Sequence, residues 1–318
     1  MRPAVVVPDD YPPVFTGSAA ESRLRAFADV SVFTERGADD PTELARRIGR
    51  SVAALNIRAH ARFTADVLAA CQSLTLISIW GTGTDNVDLA ACRDRGVTVT
   101  NTPGVNANAV AEHTIGLMLA VMRRIPGMDA DLRAGRWARS TVAQLEGKTV
   151  GVVGLGAIGR RVAALAAAFG AHPIAFSSTP DEGRAAAAGA RAVSIDDLLR
   201  ESDVVTLHLR LGPATVGFIS RDRLASMKPS AFLVNTARGA LVDRDALVRA
   251  LRDARLSAAA LDVFHDEPVP PGDPVLALPN VVLTPHVAGN TPEVVAAGLD
   301  LAVRNIEAHL GIVGRPVA

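Results

Sequence analysis

Three polar side chains with complementary chemistry occur in the second half of the chain. Arg238, Glu267 and His286 each come shortly after an apolar run that predicts a β-strand. An arginine binds carboxylate and carbonyl oxygens through its planar guanidinium. A histidine donates or accepts a proton, and a neighbouring glutamate favours its imidazolium form. Any one of them alone is more often a surface or capping residue, but the succession suits the reduction of a 2-keto acid.

A glycine-rich turn supplies the second chemical signal. Residues 154–159 read Gly-Leu-Gly-Ala-Ile-Gly, directly after the apolar run 150–153 and directly before an apolar helical segment. In that context Gly154 permits a tight turn, Gly156 lets the backbone approach a pyrophosphate, and Gly159 allows close helix–strand packing. The alternative is a glycine turn in an α/β domain that binds no ligand. The context favours a dinucleotide site.

The choice between the two nicotinamide cofactors depends on the end of the next strand. An acidic residue is expected about 20 positions after the glycines, where it would bind the adenosine ribose. Residues 170–180 contain no carboxylate, and the strand end reads Ser177-Ser178-Thr179 instead. These hydroxyls could bond to a 2′-phosphate, with Arg210 as a further partner. The sequence predicts NAD(H) or NADP(H), with a slight lean to NADP(H).

Strands that alternate with helices must position these groups. Apolar runs predict strands at 4–7, 30–33, 52–57, 74–79 and 97–100, and a second series at 149–153, 174–177, 204–207, 232–235, 258–263 and 281–284. Such alternation indicates parallel sheets covered by helices on both faces. A long helix is expected over about 106–124, followed by an irregular polar segment over 127–140. Ser18, Asp40 and Thr291 are predicted N-caps.

Composition narrows the class of protein. A length of 318 residues predicts roughly two domains, and 33 basic against 33 acidic residues give no net charge. A nucleic-acid binder driven by bulk positive charge is therefore disfavoured. With only Cys71 and Cys92, a disulfide scaffold and a cysteine-based zinc site are excluded. No signal peptide or membrane span is recognised, so a cytoplasmic protein without a metal and without a membrane partner is expected.

The motifs, taken in order, resemble those of the D-isomer-specific 2-hydroxyacid dehydrogenase family along nearly the whole chain. Besides the glycine loop, the matching segments are Gly-Thr-Asp-Asn-Val-Asp at 83–88, Asn-Thr-Pro-Gly at 101–104, Ala-Val-Ala-Glu-His at 109–113, Asn-Thr-Ala-Arg-Gly at 235–239, Leu-Asp-Val-Phe at 261–264, Glu-Pro at 267–268 and Thr-Pro-His at 284–286.

This resemblance implies an α/β protein of two Rossmann-like domains with parallel sheets. A flavodoxin-like substrate domain is expected over 1–100 and 291–318, and a doubly wound dinucleotide-binding domain over 101–290. The resemblance also implies a homodimer and a small 2-keto or 2-hydroxy acid substrate. Arg238, Glu267 and His286 become the expected catalytic set. The expected cofactor-binding residues are Gly154, Gly156, Ala157, Ile158, Gly159, Ser177, Ser178, His208, Arg210, Thr236, Ala237, Asp262 and His286, and those expected at the substrate are Arg58, Thr82, Gly83, Asn106 and Arg238.

Several features leave alternatives open. The missing acid and the segment His208-Leu209-Arg210 depart from the family pattern on the adenosine side, and from the residues alone His208 and His265 are interpreted as structural or solvent-facing. Trp80 either narrows the substrate pocket or simply packs. Phosphite oxidation uses a similar set of side chains, and a non-catalytic NAD(H)-sensing protein of the corepressor type shares the fold. Glu267 disfavours formate dehydrogenase, which pairs its histidine with glutamine.

Overall fold

The computed structural model describes residues 2–57, 61–179 and 181–312. Within these, the chain forms two compact units. The first contains the residues up to Asn106 and those from Asn290 onwards, and the second runs over Ala107–Gly289. The predicted substrate residue Arg58 lies outside the described residues.

The first unit is built on a five-stranded parallel sheet with strand order β2-β1-β3-β4-β5. The chain orders it as β1 (Ala4–Val7), α1 (Ala19–Phe27), β2 (Asp29–Val32), α2 (Pro41–Ile48), β3 (Ala53–Asn56), α3 (Ala65–Ala70), β4 (Leu76–Ile79), α4 (Leu89–Asp94) and β5 (Thr98–Thr100). Strand order 2-1-3-4-5 is that of flavodoxin-like sheets. The predicted strands are confirmed, with small shifts at their ends.

The second unit is built on a seven-stranded sheet with order β12-β11-β10-β9-β6-β7-β8. It contains α5 (Ala107–Met122), α6 (Ile125–Arg133), β6 (Thr149–Val153), α7 (Ala157–Ala168), β7 (His172–Phe176), α8 (Glu182–Ala187), β8 (Arg191–Ala192), α9 (Ile195–Glu201), β9 (Val204–Leu207), α10 (Arg221–Ser226), β10 (Phe232–Asn235), α11 (Arg244–Arg252), β11 (Ala258–Leu261) and β12 (Val281–Leu283). Helix α12 (Pro292–His309) then returns to the first unit.

All pairings in both sheets are parallel, which confirms the predicted fold class. The order in which strands are added to the sheet reverses between β6 and β9, because β7 and β8 extend the sheet on one side of β6 and β9 to β12 extend it on the other. That switch point is where doubly wound sheets bind nucleotides. Strands β9 and β11 are fully buried, as parallel strands covered on both faces must be.

Local capping chemistry explains where the helices of the first unit begin. The side chains of Ser18, Asp40 and Thr291 accept hydrogen bonds from the backbone N–H groups of the first turns of α1, α2 and α12. Each satisfies a donor that the helix itself leaves unpaired. All three predicted N-caps are confirmed.

The segment over 127–140, predicted to be irregular, is partly helical. Helix α6 begins with Ile125-Pro126, and proline is favoured in a first helical turn. An ion pair of 2.8 Å joins Arg133 Nε to Asp129 Oδ2 one turn earlier and supports the helix. The prediction was wrong although Ile125, Met128 and Leu132 recur at helical spacing, because Pro126 and Gly127 beside them favour an irregular segment.

The boundary between the two units also differs from the predicted one at residue 101. Residues 101–106 belong to the first unit, because the loop after β4 holds them. The backbone N–H of Thr102 donates to Gly81 O at 2.9 Å, and the Asn101 side chain donates to Thr82 O at 2.8 Å. Across the described ranges, none of the helices has the length and apolar character needed to span a membrane.

Candidate active site

The glycine loop lies between β6 and α7, and its three glycines differ in how much room each has for a side chain. Gly154 has φ +102°, and a Cβ there would come within 2.7 Å of the backbone of His208. A Cβ on Gly159 would come within 2.0 Å of Gly154 O. A Cβ on Gly156, in contrast, would meet no atom of the described chain within 4 Å. Gly154 and Gly159 are therefore required by the packing of the protein itself, whereas Gly156 leaves open space beside the loop.

The start of α7 has the properties of an anion site. Gly156 is its N-cap and, having no side chain, provides no side-chain acceptor for the N–H groups of the first turn. The N–H groups at Ala157 and Ile158 therefore face outward next to the space left by Gly156, at the positive end of the helix dipole. These residues fit the pyrophosphate of a dinucleotide.

The end of β7 carries the residues expected to select the cofactor. Ser177 is half-buried and Ser178 is exposed, and Arg210, beyond the end of β9, is exposed as well. The carboxylate of Asp181 caps α8 by accepting from Arg184 N at 2.8 Å. The nearest acid is therefore engaged in its own helix, and Ser177 and Ser178 remain the polar groups at this strand end.

His208, which follows β9, is held as a neutral ring. Its Nε2 lies 2.9 Å from the Thr206 hydroxyl, and burial lowers the pKa of His208 to about 3. An uncharged imidazole that is hydrogen-bonded to Thr206 is consistent with the structural interpretation of this histidine. It brings no positive charge to the adenosine side.

The loop after β10 is organised by a buried amide. Asn235 Oδ1 accepts from Ala237 N at 3.0 Å, and Asn235 Nδ2 donates to Arg238 O at 2.9 Å. The Asn235 side chain thereby holds the backbone of the loop at Ala237 and at Arg238. Arg238 itself is half-buried, and its Nη1 donates to Ala237 O at 2.7 Å.

Gly239 brings the next loop into direct backbone contact with the first. A Cβ at Gly239 would come within 2.1 Å of the Phe264 backbone, so only glycine allows this approach. The N–H of Phe264 in turn donates to Glu267 Oε1 at 2.9 Å. The loops that carry Arg238 and Glu267 are therefore fixed relative to each other.

His286 completes the arrangement. Its Nδ1 lies 2.7 Å from Glu267 Oε2. Burial alone would raise the pKa of Glu267, but the hydrogen bond and charge of His286, the Phe264 N–H and the charge of Arg238 together hold it below its ordinary value. Glu267 is thus an ionised carboxylate that can only accept, and the hydrogen between the two side chains belongs to His286 Nδ1.

Asp262 holds the loop that carries His286. Its carboxylate is fully buried and accepts from the Val287 and Ala288 N–H groups, each at 2.9 Å, and from the Thr284 hydroxyl at 2.6 Å. Its backbone oxygen accepts from His286 N at 2.8 Å. The structure therefore places Asp262 beneath the histidine loop as an anchor.

The remaining predicted substrate residues belong to the first unit. Thr82 and Gly83 follow β4 and are partly exposed, and in the described chain neither backbone N–H donates to another residue. Asn106 Oδ1 is buried and has no partner among the described residues. Trp80 packs against α12, where a Cβ on Gly298 would come within 2.2 Å of its ring nitrogen. This contact favours the packing interpretation of Trp80.

Comparison with known proteins gives the relationship. Residues 115–288 match the family model described as the NAD binding domain of D-isomer specific 2-hydroxyacid dehydrogenases. The chain belongs to the D-isomer-specific 2-hydroxyacid dehydrogenase family. It is 43% identical over 286 residues to D-3-phosphoglycerate dehydrogenase of Mycobacterium leprae, covering 89% of this chain and 54% of that protein. It is 39% identical over 294 residues to glyoxylate reductase of Aeropyrum pernix, covering 90% and 88%.

Among solved structures of this fold, the acyclic imino acid reductase Bsp5, in complex with NADPH and D-Arg, superposes with a TM-score of 0.88. It is 28% identical, and the match covers 97% of each chain. The present chain spans about half the length of several phosphoglycerate dehydrogenases that it matches. The family's NAD-binding domain model falls within the second unit, where the glycine loop and the three catalytic candidates also lie.

Sequence alone assigned no role to several residues that shape this site. Asn235 and Thr284 were recognised only as parts of motifs, and so was His113. Their signal was present, because a polar residue at the end of a buried strand needs a partner. Which partner it finds depends on loops that are distant in sequence.

Proposed function

We propose that this protein is an NAD(P)-dependent D-2-hydroxyacid dehydrogenase acting on a small 2-keto acid of the glyoxylate or hydroxypyruvate type. The observation that carries the proposal is the 2.7 Å hydrogen bond between His286 Nδ1 and Glu267 Oε2, with the charge of Arg238 close by. The names of the M. leprae and A. pernix relatives support the substrate class, since both denote enzymes of 2-hydroxy or 2-keto acids.

Each of the three catalytic candidates has a different role in the proposed reaction. When bound, the reduced nicotinamide supplies the hydride that reaches the carbonyl carbon. Because Nδ1 of His286 donates to Glu267, its Nε2 is the nitrogen that gives a proton to the carbonyl oxygen, and it takes one back in the reverse direction. Arg238 binds carboxylate and carbonyl oxygens through its planar fork. Glu267 keeps the ring oriented by accepting the hydrogen of its Nδ1.

The cofactor would be held along the carboxyl ends of the second sheet. The loop over Gly154–Gly159 and the start of α7 fit the pyrophosphate, and Ser177, Ser178 and Arg210 are placed for the adenosine side. On this basis we favour NADP(H) slightly over NAD(H). The NADPH in the Bsp5 structure shows that a relative of this fold accommodates the phosphorylated cofactor.

The substrate carboxylate would be bound by the unpaired N–H groups of Thr82 and Gly83, assisted by Asn106 and Arg58. For the assembly we propose a homodimer. Three large apolar side chains are unusually exposed to water: Ile125 by 55%, Leu132 by 57% and Trp137 by 80%. A second copy of the chain would cover them.

A panel of 2-keto acids offered with NADH and with NADPH tests the proposal. We expect oxidation of the reduced cofactor with glyoxylate or hydroxypyruvate, and a loss of turnover of about a hundredfold or more in His286→Ala. No turnover with any 2-keto acid would refute the function. Turnover that survives in the variant would remove His286 from the mechanism. Light scattering of the purified chain tests the dimer.

A further inference from the structure

Helix α5 contacts both catalytic loops through two adjacent side chains. His113 Nε2 lies 3.1 Å from the Thr284 hydroxyl, in the loop that carries His286, and 3.5 Å from Asp262 Oδ1. The hydroxyl of Thr114 lies 2.8 Å from that of Thr236, in the loop that carries Arg238. One helix of the second unit therefore joins the two loops by hydrogen bonds.

The direction of the hydrogen bonds at Thr284 follows from the groups present. The Asp262 carboxylate receives a backbone N–H on each of its oxygens, the pattern of an ionised acceptor, so the Thr284 hydroxyl donates its hydrogen to Asp262. A hydroxyl has a single hydrogen. The Thr284 oxygen must then accept from His113, whose Nε2 carries a hydrogen. His113, Thr284 and Asp262 form a directed chain of donors that ends on a buried carboxylate.

The chain of hydrogen bonds ends at the loop of His286, whose backbone conformation is unfavourable by itself. His286 has φ +53°, in the left-handed region, which is unfavourable for a residue other than glycine. The surrounding loop is held there by the bonds of Val287 N and Ala288 N to Asp262. If the Asp262 carboxylate turned, both bonds would be lost. The Thr284 hydroxyl adds a third hydrogen bond to this carboxylate, and its own oxygen lies 3.1 Å from His113 Nε2.

We propose that His113 is a positioning residue for His286, acting through Thr284 and Asp262. Its imidazole sets the Thr284 hydroxyl, the hydroxyl sets the carboxylate, and the carboxylate holds the loop in the conformation that directs the His286 ring to Glu267. The kinetic consequence rests on the proposed dehydrogenase function, whereas the ordering of the loop does not.

Kinetics of four variants test the relay. His113→Phe removes the donor while keeping ring volume, and His113→Gln restores an N–H at a similar reach. Thr284→Val removes the middle link. We expect H113F and T284V each to lower kcat about tenfold, the effect of losing one hydrogen bond, with KM for the 2-keto acid changed by less than about threefold. H113Q should recover most of kcat. The double variant H113F/T284V should be no worse than H113F alone, since His113→Phe removes both the bond to Thr284 and the direct contact with Asp262.

Amide hydrogen exchange tests the same relay without any turnover. In H113F and T284V, the amides of Val287 and Ala288 should exchange about tenfold faster, while those of β6 keep their protection and H113Q behaves as the unsubstituted protein. His172→Phe, at an exposed histidine of β7, is the matched control and should leave the loop amides unchanged.

The outcomes separate the two proposals. Unchanged exchange at Val287 and Ala288 in H113F, or effects of H113F and T284V that add in the double variant, would overturn the relay. So would a kcat of H113Q as low as that of H113F. If the unsubstituted protein reduces no 2-keto acid, the proposed function fails, and the exchange measurement still decides whether His113 orders the loop.

Discussion

Replacement of His208 by glutamine should make the stability of the protein less dependent on pH. Burial holds the pKa of His208 at about 3, against an ordinary value of 6.5. Below about pH 6.5 the His208 ring is therefore protonated in the unfolded chain but stays neutral in the folded protein. Each step down in pH then favours unfolding. For pKa values of 6.5 and about 3, the loss between about pH 8 and about pH 5 is ~2 kcal/mol.

Glutamine cannot titrate, and its amide reaches as far as Nε2 towards Thr206. In H208Q the free energy of unfolding should therefore fall by ~2 kcal/mol less over this pH range than in the unsubstituted protein. Urea unfolding of the protein without ligand, followed by circular dichroism at several pH values, measures the difference. A constant offset from the changed contact with Thr206 cancels, because only the slope against pH is compared.

A second variant shows whether the effect belongs to this site. His172→Gln removes an exposed histidine of the same sheet and measures the effect of losing a surface imidazole. Parallel stability curves for H208Q and the unsubstituted protein would refute the reasoning. They would mean that the His208 ring accepts a proton in the folded state as readily as in the unfolded one.

Three further substitutions test the site. Glu267→Gln should lower kcat about tenfold, because the hydrogen bond to His286 loses its charge. Such charged bonds typically contribute ~1.5–3 kcal/mol, and the half-exposed position of this pair reduces that value. A wild-type rate in steady-state kinetics would contradict this. Gly239→Ala should destabilise the protein by about 1–3 kcal/mol and lower kcat, since its Cβ would meet the Phe264 backbone; the control Gly272→Ala, which meets nothing within 4 Å, should melt at an unchanged temperature. Ser177→Asp should raise KM for NADPH about tenfold relative to NADH, since a carboxylate repels a 2′-phosphate, and an unchanged KM ratio would place the selection elsewhere.

Much of the fold could be predicted because its determinants are local. A strand such as Ala4–Val7 is a continuous apolar run, and Asp40-Pro41 carries the start of a helix in two residues. Helix α6 was missed because Pro126 and Gly127 near its start indicate a loop and none of its residues is buried. Residues Asn101 and Thr102 belong to the first unit because they are held by a loop twenty residues away, about which their own sequence says nothing.

The candidate site divides in the same way. The residue types of Arg238, Glu267 and His286, and the strand ends that carry them, could be read from the chain. Their support could not. Nothing in sequence near Gly239 indicates that the Phe264 backbone will lie against it, and nothing near His113 indicates Thr284.

The sequence by itself determined the periodicity of the elements, the caps, the glycine turn and the chemical groups available at the strand ends. Only the tertiary structure decided which of those groups touch, how His286 is held at a positive φ, and that burial keeps His208 neutral. The physical reason is distance along the chain. Propensity and capping act over a few residues, whereas burial and hydrogen-bond partners are set by segments that meet only when the sheet has formed.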